Sequence, residues 1–402
     1  MADILFLAHR VPYPPDRGDK IRSFHLLKHL AERHRVHLVT FAEGPDDLGH
    51  DAALGRFAAS QTVVRRAKPH AVAAAQAILS GRPVSLCAFD NGRMRDAVRG
   101  VIKREPIGAV FVFSGQMAQH VPDGGPPLIM DFVDMDSAKF AGYAQAGRGP
   151  MQWMLAREAR LLRTFEAQVA ARAHASLFVS AAEAALFKRD TGAARVEVVE
   201  NGIDTAGFAP DAPFERPGLG PVSIVFTGQM DYRPNIEGVT WFAQAVLPRI
   251  REARADAEFV IVGRNPTQAV QALGRSPGVR VTGAVADTRG WLAEAAVVVA
   301  PLLLARGIQN KVLEGMAMAR PVVASAQAAE GIDHCGTIAV AAHATGMAAA
   351  IVQLLADRAR ATTLGSSARQ QVTARYGWPA AMRALDRVMA PLFDTPVQER
   401  AA

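Results

Sequence analysis

Short apolar runs alternate with amphipathic segments along this chain, stop at a proline- and glycine-rich break, and then start again. Residues 4–8 are an apolar run that ends in a polar, proline-rich loop at 9–19. A helical pattern follows at Ile21, Phe24, Leu27 and Leu30. Residues 36–41, 62–64, 109–113, 127–133, 176–180 and 196–199 read as strands, with helices at 71–79, 94–102 and 151–173 between them. Short strands separated by helices predict a parallel sheet covered on both faces. Residues 204–221 hold four prolines and three glycines with little periodicity, and read as a linker. Beyond it, strands are expected at 223–226, 259–262, 279–282, 297–300, 321–324 and 338–340, and helices at 236–251 and 311–318. The expected fold class is therefore α/β: two facing, Rossmann-like, doubly wound domains with a cleft between them. The expected divisions are 1–203, the linker 204–221, 222–375, and a C-terminal helix at 376–402.

At 402 residues the chain exceeds an ordinary domain, and its 50% apolar, 21% charged composition is globular. The net charge of +7 fits an anionic substrate, an anionic membrane face or nucleic acid. It fits equally a scatter of solvated arginines. No recognised nucleic-acid module accompanies the charge, so no nucleic-acid partner is expected. The N-terminal M-A-D-I-L-F-L-A-H-R lacks a basic leader and reads as a first strand, and no run approaches a membrane span. The expected location is cytoplasmic, with peripheral contact at the inner face of the membrane as an extension. A basic cluster on or near the first helix (His25, Lys28, His29, Arg33, His34, Arg35) is the candidate for that contact, or else a solvated helix face. Cys87 and Cys335 have no metal-site spacing and are expected as free, buried thiols.

The most informative segment is A-R-G-I-Q-N-K-V-L-E-G-M-A-M-A-R-P-V-V-A-S, residues 305–325. A buried strand leads into a loop in which Gly307 permits close backbone approach. A helix then begins near Asn310 or Lys311. Its first N–H groups are unpaired and its dipole is positive there, which makes an anion site. Lys311 adds a mobile positive charge, and Glu314 offers two acceptor oxygens to a ribose diol. The alternative is an ordinary helix start with Glu314 offsetting the dipole.

This segment resembles the donor-site motif of glycosyltransferase family 4, in which a Glu, seven residues and a second Glu precede A-M-A-x-G-x-P-V-V-A. The resemblance implies a GT-B fold and a retaining transferase that takes a sugar from a nucleotide-diphosphate donor. Glu314 matches the second Glu and would bind the donor ribose. The loop of Gly307, Ile308, Gln309, Asn310 and Lys311 would receive the diphosphate. The first Glu is replaced by Arg306, which could pair with the diphosphate or with an anionic sugar. Ala319 stands where the family usually has Gly.

The resemblance runs along nearly the whole chain, and implies that the C-terminal helix at 376–402, around Tyr376 and Trp378, crosses back to the first domain. E-N-G-I-D at 200–204 resembles the end of the family's first domain, and F-T-G-Q-M-D-Y-R-P-N at 226–235 the opening of its second. Many members carry Arg just after that Gly228 and Lys five positions later; here Gln229 and Pro234 stand there, and Arg233 is the nearest cation or a solvent-exposed turn arginine. V-G-R-N-P, with Gly263 and Arg264, and V-T-G-A-V-A-D, with Ala284 and Val285, resemble the loops that hold the base. In the first domain Gly18 opens a helix toward the donor. Asp19, Lys20 and Arg22 are acceptor candidates, the last two facing an acceptor phosphate or lying as surface charges. D-F-V-D-M-D-S-A-K at 131–139 places acids at a strand's carboxyl end, with Asp134 or Asp136 as catalytic candidates beside Arg306 and Glu314. Helix capping by Asp136 or Ser137 is the alternative. Ser180 resembles a common family position. D-R-G-D-K-I-R-S with G-I-Q-N-K-V-L-E is similar to the narrower group of exosortase (PEP-CTERM) and exopolysaccharide sugar transferases.

No P-loop and no G-x-G-x-x-G after the first strand is present, which argues against P-loop hydrolysis and NAD. No metal and no other cofactor is expected, because a helix dipole and cations can neutralise a leaving diphosphate. The expected partners are a nucleotide-sugar donor and a glycan or polyprenyl-diphosphate-linked acceptor. Two rivals stand beside transfer: a nucleotide-sugar 2-epimerase on the same kind of fold, and a degenerate binder without activity.

Overall fold

The computed structural model describes residues 1–15, 18–146, 149–305 and 308–393. The chain divides into two compact units, 1–201 with 381–402, and 202–380. The first holds a seven-stranded sheet: β1 Asp3–Ala8, β2 Arg35–Ala42, β3 Ser60–Arg65, β4 Ile107–Phe113, β5 Leu128–Val133, β6 Ala175–Phe178 and β7 Val196–Val198. Their spatial order is β3-β2-β1-β4-β5-β6-β7, and every pair is parallel. The second unit holds β8 Ser223–Thr227, β9 Glu258–Val262, β10 Val279–Gly283, β11 Val297–Ala300, β12 Val322–Ser325 and β13 Ala339–Ala341. These lie in the order β10-β9-β8-β11-β12-β13, again all parallel. All residues of β1, β8, β11 and β12 are buried, as strands covered on both faces must be. The order reverses between β1 and β4 in one sheet and between β8 and β11 in the other, the doubly wound pattern.

Distant carboxylates cap helices in the first unit. Glu158, buried on the long helix Gly149–Arg172, accepts from the backbone N–H groups of Val84 and Ser85 at 2.7 and 2.8 Å, where the helix Val84–Phe89 starts. Glu166 does the same for the helix Asp136–Ala146, accepting from the Ser137 N–H and hydroxyl at 3.1 and 2.5 Å. Its carboxyl is pushed up to about 7 by burial. The alternative of capping by Asp136 or Ser137 is thus replaced by caps from Glu166 and from Glu183, which accepts from the Met135 N–H at 2.8 Å.

Three sequence expectations change. The helix expected over 236–251 is three pieces: an α-helix Arg233–Trp241, a π-turn Phe242–Val246 and an α-helix Leu247–Ala253. Pro248 has no N–H to give and its ring crowds the carbonyl one turn back, so the helix widens there. Residues 204–221 contain no strand or helix, but Phe208, Phe214 and Leu219 pack against the core of the second unit. Cys87 is buried, whereas Cys335 is exposed rather than buried; its φ of 47° puts it in a turn, and Asp333 beside it raises its thiol pKa. No described helix is long and apolar enough to cross a membrane.

Candidate functional site

In a doubly wound sheet the loops leaving the strands' carboxyl ends diverge where the strand order reverses, and a crevice opens there. In the second unit this point lies between β8 and β11. The expected donor residues lie on four such loops: Gly228 after β8, Gly263 and Arg264 after β9, Ala284 and Val285 after β10, and residues 308–314 after β11. The first three loops are knitted together by backbone hydrogen bonds, Met230 N–H to Arg264 O at 2.9 Å and Gly263 N–H to Gly283 O at 3.1 Å. A Cβ on Gly263 would lie 1.7 Å from the Gly228 carbonyl oxygen, so only glycine allows that approach. Ala284 is exposed and Val285 half-buried, and Val285 packs on the core.

The helix Asn310–Ala317 starts at Gln309 with no side-chain cap. Its positive end faces the crevice without a cap from the Gln309 side chain. Lys311 is not the mobile charge expected: its Nζ donates to the Asn235 Oδ1 at 2.8 Å and lies 4.9 Å from the centre of the Phe226 ring. Burial pulls its pKa down to about 8, against the pull of Glu314. Burial pushes the Glu314 carboxyl up to about 7, Lys311 opposing. Both groups thus stand with their charged forms disfavoured.

Asn235 is the residue that the sequence reading missed. It is buried, and its Nδ2 donates to the Gln229 carbonyl at 2.8 Å while its Oδ1 takes Lys311. It thereby joins the loop after β8 to the helix after β11. The only sequence signal was its place at the end of the 226–235 motif. With the Gln229 amide turned so that its oxygen faces the Arg264 guanidinium, the orientation that satisfies both groups, it accepts from Nε at 3.1 Å and orients that cation. Arg233 is exposed on the first turn of the helix Arg233–Trp241, its Nε paired with Glu237 on the next turn at 2.7 Å. Arg306 and Gly307 lie outside the described residues.

In the first unit the acceptor candidates separate. Arg22 is 1% exposed; it grips Asp131 through Nε at 2.9 Å and Nη2 at 3.2 Å, and its Nη1 donates to Asn201. Lys20 is buried on Asp47 at 2.9 Å. Both are internal ion pairs rather than acceptor contacts, because a buried charge bound to its partner cannot be withdrawn without stranding that partner. Asp19 remains at the carboxyl end of β1, half-buried, with His9 Nε2 at 3.2 Å and Arg10 on the same oxygen. A Cβ on Gly18 would meet nothing within 4 Å. Asp134 follows the carboxyl end of β5, half-buried, and Asp136 pairs with Lys139 at 3.1 Å. Ser114 (φ 79°) after β4 and Val133 (φ 72°) at the end of β5 hold positive φ angles that non-glycine residues adopt only under constraint. Ser180 caps the helix Ala181–Thr191, accepting from the Glu183 N–H at 3.2 Å. Asp3, His37 and Glu105 place ligand atoms within 4.8 Å of one another. They sit toward the amino ends of the strands, and both His37 nitrogens are already bonded, to Ser60 and Asp3.

No curated protein sequence matches the chain. Among solved structures it is similar to HepE of Anabaena in complex with UDP and glucose, with 14% identity, a TM-score of 0.60, and 97% of this chain and 100% of that one covered. It is similar to sucrose-phosphate synthase of Thermosynechococcus elongatus at 18% identity and a TM-score of 0.62, covering 98% and 100%. It is also similar to a candidate UDP-N-acetylglucosamine 2-epimerase of Listeria monocytogenes at 14% identity and a TM-score of 0.58, covering 98% of each. At these identities the likeness is one of fold. The chain has the α/β fold of GT-B glycosyltransferases, and its residues 221–357 match the family described as Glycosyl transferases group 1.

Proposed function

We propose that the chain is a glycosyltransferase whose second unit binds a nucleotide-diphosphate sugar. The observation that carries this reading is the N-terminus of the helix Asn310–Ala317, with the desolvated Lys311 and Glu314 on it, beside the point where the strand order reverses. A desolvated ammonium and a desolvated carboxyl, each with its charged form disfavoured, are both relieved by one ligand. A diphosphate meets Lys311 and the first N–H groups of the helix. Vicinal ribose hydroxyls donate to the Glu314 carboxylate. Arg264, oriented by Gln229, supplies a second cation where family 4 members carry an arginine one loop earlier.

In this reading the leaving diphosphate is stabilised by fixed donors already in place, which lowers the barrier without reorganisation. No resident metal is invoked. The finer reading is transfer with retention, in which the leaving phosphate oxygen accepts the acceptor's proton. The acceptor is a glycan or a polyprenyl-diphosphate-linked sugar of exopolysaccharide assembly. Asp19, Asp134 and Asp136 stay as first-unit candidates for the acceptor, and Arg306 and Gly307 as donor-loop candidates. Thermal denaturation with UDP, GDP, ADP, CMP and NAD tests the donor site. Stabilisation by one nucleoside diphosphate, lost in Glu314→Ala, supports the reading; stabilisation by NAD alone defeats it.

The likeness to a candidate 2-epimerase keeps a second reading in play, since one fold hosts both chemistries. Incubating the donor sugar nucleotide alone separates them. An epimerised sugar nucleotide formed without acceptor would favour isomerisation.

A further inference from the structure

The second sheet has a cavity of about 590 Å³ at the end opposite the crevice. Its floor lies where Val222, Ala296 and Pro321 lead into β8, β11 and β12 at their amino ends. Leu354 lines it from the helix Ala344–Ala356, and Arg358 and Ala361 from the helix Arg358–Tyr376. Every lining residue belongs to the second unit. The volume falls in the range of roughly 300–1,000 Å³ that small-molecule pockets occupy.

Charge gives the ligand its sign. Arg254, Arg320 and Arg358 line the cavity against one lining carboxylate, Glu294. Glu294 is engaged, accepting from the Leu219 N–H at 2.8 Å, and Arg254 is paired with Asp256 at 3.2 Å. Arg320 has no such partner. It is half-buried, its Nε is fully buried, and its side chain makes no hydrogen bond or ion pair among the described residues. Burial, Arg216 and Arg358 push its pKa down, with Glu294 opposing. A desolvated guanidinium without an acceptor is costly, yet the backbone holds it in place. Arg320 follows the closing turn at Ala319, and the helix Arg358–Tyr376 crosses that turn so closely that a Cβ on Gly365 would lie 2.1 Å from the Ala319 carbonyl oxygen.

We propose that this cavity binds a small phosphomonoester, with its phosphate against Arg320 and Arg358 and its organic body against Leu354 and Pro321. A phosphate suits the two guanidiniums because it carries up to two charges on three outer oxygens, enough acceptors for both. The cations hold it rather than the neighbouring helix end, since Asp357 already accepts from the Arg360 N–H at 2.9 Å. The ester rather than the free ion follows from the volume, which a lone phosphate leaves mostly empty, and from the apolar walls.

Calorimetric titration of the full chain with glucose 6-phosphate and glycerol 3-phosphate in phosphate-free buffer tests the site, with glucose, glycerol and inorganic phosphate as controls. Saturable binding of an ester, and not of its uncharged parent, is expected. Arg320→Gln should weaken it about tenfold or more, the loss of a charge-assisted contact to phosphate, whereas Lys311→Met at the crevice should leave it unchanged. Without ligand, Arg320→Gln should melt no lower than the parent, because it removes a desolvated cation. An arginine that serves only the fold would melt lower when replaced and leave ester binding intact. Arg358→Gln, at an exposed position, carries the test if Arg320→Gln does not fold, and should weaken the ester about threefold. The proposal is overturned if neither ester binds, if inorganic phosphate binds as tightly as the esters, or if binding is kept in folded Arg320→Gln. Binding kept there but lost in Lys311→Met would place the ester at the crevice instead. None of these outcomes depends on whether the second unit takes a sugar nucleotide.

Discussion

Lys311 and Asn235 are 76 positions apart in the chain, yet the lysine Nζ donates to the asparagine Oδ1 at 2.8 Å. The bond fixes the ammonium on the first turn of the helix Asn310–Ala317. Substitution Lys311→Met should weaken UDP binding by about tenfold to a hundredfold, the range of a lost charge-assisted contact to phosphate. Asn235→Ala should weaken it less, because the charge survives without its orientation. The same geometry sets a pH dependence. Burial brings Lys311 to about 8, and its protonated form is the one that meets the diphosphate. UDP affinity should therefore fall as pH rises through about 8, and calorimetric titration from neutral to alkaline pH reads it. A parent affinity unchanged across that range would remove Lys311 from the phosphate site.

Arg264 and Gln229 offer an exchange experiment. The glutamine oxygen accepts from the guanidinium, so the cation comes from the loop after β9 and its orientation from the loop after β8. Arg264→Gln should lower donor affinity about tenfold. Adding Gln229→Arg to that variant should recover most of the loss, since it returns a guanidinium to the same place from the neighbouring loop. If the double variant binds UDP no better than Arg264→Gln, the two positions do not serve one phosphate contact.

What could be read from the chain in advance follows from how local each signal was. The strands of both sheets are short runs such as V-V-V-A at 297–300, whose burial on both faces needs no knowledge of partners. Proline and glycine marked 204–221 as free of strand and helix, but gave no sign that Phe208, Phe214 and Leu219 in it pack on the second unit's core. The roles of Lys20 and Arg22 did not declare themselves, because Asp47 and Asp131 lie 27 and 109 positions away. Nothing in D-R-G-D-K-I-R-S distinguishes a cation aimed at a ligand from one closed on a distant carboxylate. Gln229 appeared as a lost arginine for the same reason: its partner, Arg264, sits on another loop. The π-turn at 242–246 was hidden because the apolar spacing around Pro248 continues as though the helix were regular.

Ala319 occupies a position that its backbone makes costly. Its φ is 52°, and it closes the helix Asn310–Ala317 with the paired hydrogen bonds Ala319 N–H to Met316 O at 3.0 Å and Arg320 N–H to Gly315 O at 3.1 Å. That left-handed closing turn favours glycine. Ala319→Gly should stabilise the protein by about 1 kcal/mol, less the extra chain entropy of glycine when unfolded. Denaturant unfolding of parent and variant at one pH measures it. A destabilised variant would mean that the alanine methyl group makes a packing contribution larger than the backbone strain.

Glu166 couples the stability of the first unit to pH. Its carboxyl is 3% exposed as a residue, and burial raises it from 4.5 to about 7 despite two hydrogen bonds from Ser137. A group raised in the folded state binds more protons folded than unfolded between those two values. Its contribution is complete below about 4.5 and is lost as pH rises through about 7. The loss is of order 3 kcal/mol at most. Glutamine at this position keeps an acceptor for the Ser137 N–H, and its amide can donate to the Ser137 hydroxyl, so it imitates the protonated acid at every pH. Glu166→Gln should therefore unfold with a flatter pH dependence between 4.5 and 7, and should match or exceed the parent's stability above that window. Glu314 titrates over the same range but is present in both proteins, so the difference between the two curves isolates Glu166. Parallel curves would show that the Glu166 carboxyl is ionised, and satisfied as a carboxylate, throughout.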